Sequence, residues 1–169
     1  MSNFYRAVPF QSRIAKKLKE YAVDIPLQYW KPYYNFVATP VPEVLLAQDP
    51  FLMALAEKRK FHGGILRMEP NTCYNWHVDT DRQVGLNMLL ADDGKSKCLF
   101  LDGESGVVFK TQELQYHPGT YYVFDTQVTH IVLNTTSPRY LFSLEYLEID
   151  RGLTFTELCA DIKGIEHGN

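Results

Sequence analysis

The most informative run of the sequence is residues 118–134, PGTYYVFDTQVTHIVLN. It begins with a Pro-Gly turn, continues through a segment rich in aromatic and β-branched residues, turns again, and ends in a second apolar segment that begins at His130. Comparable short segments, separated by turn signals such as Asp102-Gly103, follow one another from Ile65 to Ile149. Roughly seven such segments with turns every 8–12 residues predict a β-sandwich or barrel.

The first third of the chain has a different pattern. Ile14, Leu18 and Ala22 recur at helical spacing, and Asp49-Pro50 is typical of a helix N-cap followed by proline at the first helical position. Between them, the proline-rich and aromatic residues 26–42 predict an ordered but irregular loop. We therefore expect one domain over residues 1–169, with a helical and loop part (1–62), a β core (63–148) and a C-terminal helix and tail (149–169).

The composition excludes several classes of function. The chain has 169 residues, a hydrophobic fraction of 46% and a net charge of -3, so it has no basic surplus with which to bind a nucleic-acid backbone. It shows no apolar run that could span a bilayer and no signal-peptide core at its start, so we expect no membrane partner and a cytoplasmic location. Its three cysteines form no C-x-x-C pair, which argues against a disulfide framework or a zinc knuckle.

Three residues with metal-binding side chains stand in an H-x-D…H pattern: His77, Asp79 and His130. Because alternate residues of a strand point to one side, we expect His77 and Asp79 to face the same way, while His130 opens a distant strand. Two imidazoles and one carboxylate are the ligand set of non-heme Fe(II) oxygenases. Arg139 follows on the next strand, and its planar guanidinium can bind a carboxylate through two hydrogen bonds.

With these motifs, residues 63–148 resemble the 2-oxoglutarate/Fe(II)-dependent dioxygenase superfamily, and the run from His77 to Leu90 is similar to its prolyl hydroxylase and aspartyl/asparaginyl hydroxylase groups. The resemblance implies a double-stranded β-helix, which is a cupin-like jelly roll, with helices at its N-terminal side. It also implies that His77, Asp79 and His130 hold Fe(II) and that Arg139 holds 2-oxoglutarate. The implied reaction uses O2 to hydroxylate a C–H bond of an amino acid, a peptide or protein side chain, or a small metabolite, and converts 2-oxoglutarate to succinate.

Three further residues are candidates for contact with the oxo acid. Some members of the superfamily place a serine two residues after the arginine; here that position is Leu141, and Ser143 is the next residue on the same strand face. Asn87 is a polar residue within an apolar strand and therefore needs a partner. Tyr74 lies three residues before His77, where its hydroxyl could reach the same ligand.

Two other functions stay open. The chain could be a cupin-type metalloenzyme that does not use 2-oxoglutarate, in which case Arg139 would have no role. It could also be a non-catalytic jelly-roll binding module, in which case any metal site would be structural or vestigial. If these residues serve only the structure of the protein, we expect the two histidines to be hydrogen-bonded within a β core and Arg139 to form an ion pair with Asp125 or Glu145. The sequence specifies neither the substrate, which we expect to be a small molecule or a peptide, nor an oligomeric state.

Overall fold

The computed structural model describes residues 4–91, 94–105, 108–147 and 152–167. These residues form eleven strands and four α-helices. In chain order the elements are β1 (Tyr5–Gln11), α1 (Ala15–Asp24), β2 (Lys31–Tyr33), β3 (Phe36–Pro40), α2 (Glu43–Leu46), α3 (Pro50–Ala56), β4 (Phe61–Met68), β5 (Thr72–His77), β6 (Val84–Ala91), β7 (Lys97–Ser105), β8 (Val108–Glu113), β9 (Thr120–Asp125), β10 (His130–Asn134), β11 (Arg139–Tyr146) and α4 (Phe155–His167).

The strands form two antiparallel sheets, as predicted for a jelly roll. The larger sheet has the order β1-β9-β6-β11-β4-β3-β2, and the smaller one has the order β5-β10-β7-β8. At the centre of the larger sheet, β11 pairs with β4 in an unbroken register from Arg139 opposite Met68 to Tyr146 opposite Phe61. The sequence predicts that this strand continues to Ile149, a residue that lies outside the described ranges.

Alternation along β11 separates a structural face from a functional face. Phe142 and Leu144 are fully buried in the main hydrophobic cluster, where they join Leu18 of α1 and Leu55 of α3. The alternate residues Leu141 and Ser143 face the other way and line cavities. Large buried aliphatic side chains each contribute about 1.5–3 kcal/mol to folding, so this packing fixes the position of the opposite face. None of the described helices is long and apolar enough to cross a membrane.

The N-terminal 62 residues contain more strand than the sequence predicts. The segment predicted as an irregular loop holds β2 and β3, and β1 precedes the first helix. Neither edge strand was predicted, because each contains a proline, a residue that argues against a strand: Pro9 lies in β1 and Pro32 in β2. These strands occupy the two ends of the larger sheet, where proline is tolerated because the outer side of the strand needs no N–H donor.

The predicted hairpin at Asp102-Gly103 is also absent. Both residues lie inside β7, where the register with β8 shifts between Leu101 and Glu104. Gly103 has a φ of 106°, a conformation that serves a β-bulge as well as a tight turn. Gly103 therefore has the backbone conformation of a turn residue, but it lies inside a strand rather than between two strands.

Candidate metal centre and its two cavities

Two histidines face each other across neighbouring strands. His77 ends β5, His130 begins β10, and the two are register partners whose ring centroids lie 4.2 Å apart. Asp79 lies two residues beyond the end of β5 rather than on the strand, but its side chain still reaches the pair. Its Oδ1 atom is 3.5 Å from His77 Nε2 and 3.8 Å from His130 Nε2. The predicted triad is therefore brought together, with its ligand atoms all within 4.8 Å of one another.

Hydrogen bonds orient both imidazoles toward the centre of the triad. His77 Nδ1 lies 2.6 Å from the carbonyl oxygen of Asn75, and His130 Nδ1 lies 2.9 Å from that of Val128. A carbonyl can only accept, so each Nδ1 carries the hydrogen and the neutral ring has its lone pair on Nε2. Burial lowers the pKa of His130, which favours this neutral form. Two lone pairs and a carboxylate oxygen thus converge on one point, which is the donor set of a non-heme iron site.

Arg82 holds the second oxygen of Asp79. Its Nε donates to Asp79 Oδ2 over 2.7 Å, and its Nη1 donates to Ser143 Oγ over 3.0 Å and to the Leu144 carbonyl oxygen over 3.2 Å. Burial alone would raise the pKa of Asp79, but the contact with His77 and the charge and hydrogen bond of Arg82 outweigh it and hold the pKa at about 2. Asp79 therefore stays ionised and presents only Oδ1 to the centre.

The loop that carries Asp79 is fixed by the loop between β9 and β10. The Asp79 N–H donates to the Thr126 carbonyl oxygen over 3.0 Å. Gln127 Nε2 donates to the carbonyl oxygens of Asp79 and Arg82, and Thr126 Oγ1 donates to that of Arg82 over 2.7 Å. These contacts were not predicted, because nothing in the local sequence pattern of Thr126 and Gln127 distinguishes them from ordinary turn residues.

A small inner cavity of about 60 Å³ lies beside the triad and contains Arg139. Arg139 is only 4% exposed, its Nε donates to Ser96 Oγ over 3.2 Å, and its guanidinium lies 5.7 Å from the centroid of the Tyr116 ring. Within the described ranges no carboxylate pairs with it, and the considered ion pairs with Asp125 and Glu145 do not form. A buried guanidinium without a counter-ion is costly, so this cavity favours an anion.

Tyr116 and Asn87 complete the polar lining of the inner cavity. Burial raises the pKa of Tyr116 well above its usual range, although the charge of Arg139 and hydrogen bonding from Asn87 act in the opposite direction. Tyr116 is therefore a neutral hydroxyl that can donate a hydrogen bond. Asn87 is 2% exposed, and its Oδ1 has no hydrogen-bond partner among the described residues. An unsatisfied buried acceptor of this kind is typical of a site that is completed by a ligand or water.

The other two candidates, Ser143 and Tyr74, both line a second, outer cavity. Ser143 accepts from Arg82 there, so it stands apart from the inner cavity in which Arg139 lies. Tyr74 lines both cavities and packs on His77 with ring centroids 3.8 Å apart. Burial raises the pKa of Tyr74 to about 12, and the charge of Asp79 adds to this shift.

The outer cavity has a volume of about 700 Å³, which is within the usual range for small-molecule sites. It adjoins the inner cavity, since both are lined by Phe36, Leu66, Tyr74, Asp79 and Arg82. One wall is the β2–β3 hairpin. Its tip contacts the loop that carries Asp79, because Tyr34 Oη donates a hydrogen bond to Asp81 Oδ2 over 2.7 Å. The aromatic stretch that was predicted as an irregular loop thus forms one wall of this cavity.

Comparison with known proteins rests on structure alone. No family model matches the chain, and no curated protein matches its sequence. Among solved structures, a Pseudomonas putida prolyl-4-hydroxylase has a TM-score of 0.61 at 15% identity, with 84% of this chain and 90% of that chain covered. The α-ketoglutarate-dependent epimerase SnoN from nogalamycin biosynthesis has a TM-score of 0.62 at 14% identity, with coverage of 89% and 82%.

A third similar structure was solved with ligands. HygX from Streptomyces hygroscopicus, with nickel, 2-oxoglutarate and hygromycin B bound, has a TM-score of 0.58 at 10% identity, with 84% of this chain and 81% of that chain covered. The first two proteins are a hydroxylase and an epimerase, and the identities of all three to this chain are low, so the common element is the architecture. The chain has the double-stranded β-helix fold of the 2-oxoglutarate- and Fe(II)-dependent oxygenases.

Proposed function

We propose that this protein is an Fe(II)- and 2-oxoglutarate-dependent oxygenase that hydroxylates a C–H bond of a small molecule or an accessible peptide. The observation that carries the proposal is Arg139, a buried cation without a carboxylate partner among the described residues, in a cavity beside a His-Asp-His triad. A metal enzyme that did not use an anionic co-substrate would have no need to bury this charge. The fold shared with HygX, solved with nickel and 2-oxoglutarate, supports the same conclusion.

The donor set of the triad suits iron. His77 and His130 would each contribute Nε2 and Asp79 would contribute Oδ1, which leaves the remaining positions for the co-substrate and O2. Iron and 2-oxoglutarate, when bound, supply the oxidative decarboxylation that yields succinate and carbon dioxide and inserts one oxygen atom into the substrate. The side chains around the triad orient the reactants and exclude water, as Phe100 and Phe124 do where they pack against His130.

The inner cavity would hold the far carboxylate of 2-oxoglutarate. Arg139 offers a charge-assisted pair of hydrogen bonds, and the neutral Tyr116 hydroxyl offers a further donor. Asn87 supplies an amide to the same lining. Ser143 does not take part in our proposal, because it is engaged with Arg82 in the outer cavity. Tyr74, at the junction of the two cavities, separates the co-substrate from the substrate side.

An anaerobic titration with Fe(II) and 2-oxoglutarate tests this proposal without knowledge of the substrate. Chelation of iron by the oxo acid produces a weak visible charge-transfer band, which we expect in the wild type and not in a His130→Ala variant. Iron binding without the band would favour a cupin-type metalloenzyme that does not use 2-oxoglutarate. Failure to bind iron would mean that the triad is structural and that the protein is a non-catalytic binding module.

Arg82→Gln should weaken iron binding by about tenfold, because a partner that orients a metal ligand is typically worth 10–100-fold in affinity. The substitution leaves Asp79 Oδ2 free to rotate toward the metal and removes the links to Ser143 and Leu144. Calorimetric titration of the metal-free protein with Fe(II) under argon measures the effect.

Arg59→Gln is the matched control for this variant. Arg59 Nε donates to Asp161 Oδ2 over the same 2.7 Å, and its side-chain exposure of 24% is close to the 27% of Arg82. Loss of this distant pair should leave iron affinity unchanged. Equal affinities of the Arg82 variant and the wild type would contradict a positioning role for Arg82.

A further inference from the structure

Two connections between the sheets run side by side at the metal centre. The first joins β5 to β6 and carries Asp79, and the second joins β9 to β10. Because β5 pairs with β10 and β6 pairs with β9, the ends of the two connections are register partners: His77 lies opposite His130, and Val84 lies opposite Asp125. The first connection has six residues (78–83), whereas the second has four (126–129). The longer connection must therefore fold back on itself to join the same two pairs of strands.

The side chain of Gln127 closes this fold. Gln127 lies in the shorter connection, and its Nε2 atom donates to the Asp79 carbonyl oxygen over 3.0 Å and to the Arg82 carbonyl oxygen over 2.9 Å. A side-chain amide nitrogen has two hydrogens, so one glutamine can satisfy both acceptors at once. Because the two carbonyl groups converge on one nitrogen, Gln127 fixes the main chain of the turn 79–82.

The same two residues of this turn also pair through their side chains. Arg82 Nε donates to Asp79 Oδ2 over 2.7 Å, which leaves Oδ1 to face the two histidines. An ion pair of this kind costs conformational entropy, since two flexible side chains must be held in one geometry. A main chain that is already fixed at both residues lowers this cost. Gln127 thus supports the orientation of the carboxylate without contacting it.

The connection that carries Gln127 is itself well placed to act on the metal centre. The Gln127 N–H donates to Asp125 Oδ1 over 2.9 Å, and the carbonyl oxygen of the next residue, Val128, accepts from His130 Nδ1. One connection therefore orients the ligand His130 directly and the ligand Asp79 through the Gln127 amide. The Gln127 side chain is exposed, so water can reach the two carbonyl groups if the amide is removed, and the effect on folding should be small.

We propose that Gln127 is a positioning residue of the metal centre, which fixes the turn 79–82 so that Asp79 presents a single oxygen to the two histidines. The inference rests on the metal-binding part of the proposed function and does not depend on 2-oxoglutarate. A residue that served only the fold would contribute to the free energy of unfolding and would leave the metal affinity unchanged.

Titration of metal-free Gln127→Met with Fe(II) under argon tests this inference, because methionine keeps the length of the side chain and removes the amide. We expect the iron affinity to fall about tenfold, as for other residues that orient a metal ligand. The Tm of the metal-free protein should change by no more than about 4 °C. Gln127→Asn should lose as much affinity, since its amide is one methylene too short to reach both carbonyl oxygens.

Gln48→Met is the matched control. Gln48 is also an exposed glutamine, and its Nε2 donates to a main-chain carbonyl oxygen, that of Val44, over 3.1 Å. It lies between α2 and α3 rather than in either connection at the metal centre. Loss of this hydrogen bond should leave the iron affinity unchanged.

A double-variant cycle shows whether Gln127 acts through the pair of Asp79 and Arg82. Gln127→Met and Arg82→Gln would then relax the same constraint, so the two changes together should cost little more than the loss of about tenfold that either causes alone. Two independent effects would instead multiply to a loss of about 100-fold.

Three results would overturn the inference. An unchanged iron affinity of Gln127→Met, an equal loss in Gln48→Met, or a loss of about 100-fold in the double variant would each exclude a role of Gln127 through Asp79. All three can occur in a protein whose wild type binds iron, so they leave the proposed function intact. A wild type that binds no iron would refute the proposed function and this inference together, and the two kinds of failure are thus distinguishable.

Discussion

Asp79→Ala is expected to lower the affinity for Fe(II) by more than about 100-fold, which exceeds the usual effect of losing a residue that only orients a ligand. The variant removes the single negative charge of the triad and leaves two imidazoles that are held by the carbonyl groups of Asn75 and Val128. It should therefore also abolish the turnover of 2-oxoglutarate. We expect the same loss of turnover for His77→Ala. Calorimetry with Fe(II) and succinate release in iron-supplemented buffer measure the two effects.

Asp81→Ala is the control for the charge of the loop. Asp81 lies two residues further on, and its carboxylate accepts hydrogen bonds from the hydroxyl groups of Tyr34 and Thr80 rather than facing the histidines. Its removal should leave iron affinity within about threefold of the wild type, since an exposed carboxylate outside the ligand set contributes little. Turnover near the wild-type level in the Asp79 variant would refute the ligand assignment.

The triad could be predicted because its three ligand residues lie in short motifs that can be recognised in the sequence. His77 and Asp79 are two residues apart, and His130 begins an apolar segment that is evident in the sequence. The strand argument was wrong in one detail, since Asp79 lies in the loop after β5, and the carboxylate is directed by Arg82 and by contacts with the β9–β10 loop. Such contacts join residues that are distant in sequence, so no periodic pattern records them.

The lining of the inner cavity was only half predictable. Arg139 and Asn87 lie in strands whose alternation indicates an inward side chain, and both line the cavity. Tyr116, which also lines the cavity, and Ser96, which accepts from Arg139, lie in connections between strands, where side-chain direction depends on the local turn rather than on alternation. The β2–β3 hairpin was missed for a related reason, because Pro32 in a three-residue strand is compatible only with the edge position that the tertiary structure provides.

Function and stability should oppose each other at Arg139. Arg139→Met is expected to raise the apparent Michaelis constant for 2-oxoglutarate by about 30-fold or more, since truncating one partner of a buried charge pair costs about 2–5 kcal/mol. Without ligand, the same variant should be as stable as the wild type or more stable by about 1–2 kcal/mol, because a buried cation is replaced by an apolar side chain of similar length. For a chain of this length, the gain corresponds to a rise in Tm of about 2–4 °C per kcal/mol.

Arg67→Met separates this effect from a general effect of removing arginine. Arg67 lies one residue before Met68, the register partner of Arg139, and its guanidinium pairs with Glu69 over 2.9 Å and lies 5.9 Å from the centroid of the Tyr140 ring. Because its charge is already balanced, its loss should lower the stability slightly and leave the Michaelis constant unchanged. A fall in the stability of the ligand-free Arg139 variant by more than about 1 kcal/mol, the typical cost of a point mutation, would identify Arg139 as a structural residue. An unchanged Michaelis constant would place the carboxylate anchor elsewhere. The two substitutions are thus expected to change the stability of the ligand-free protein in opposite directions. The reason is that a counter-ion lies beside Arg67, whereas none of the described residues provides one beside Arg139.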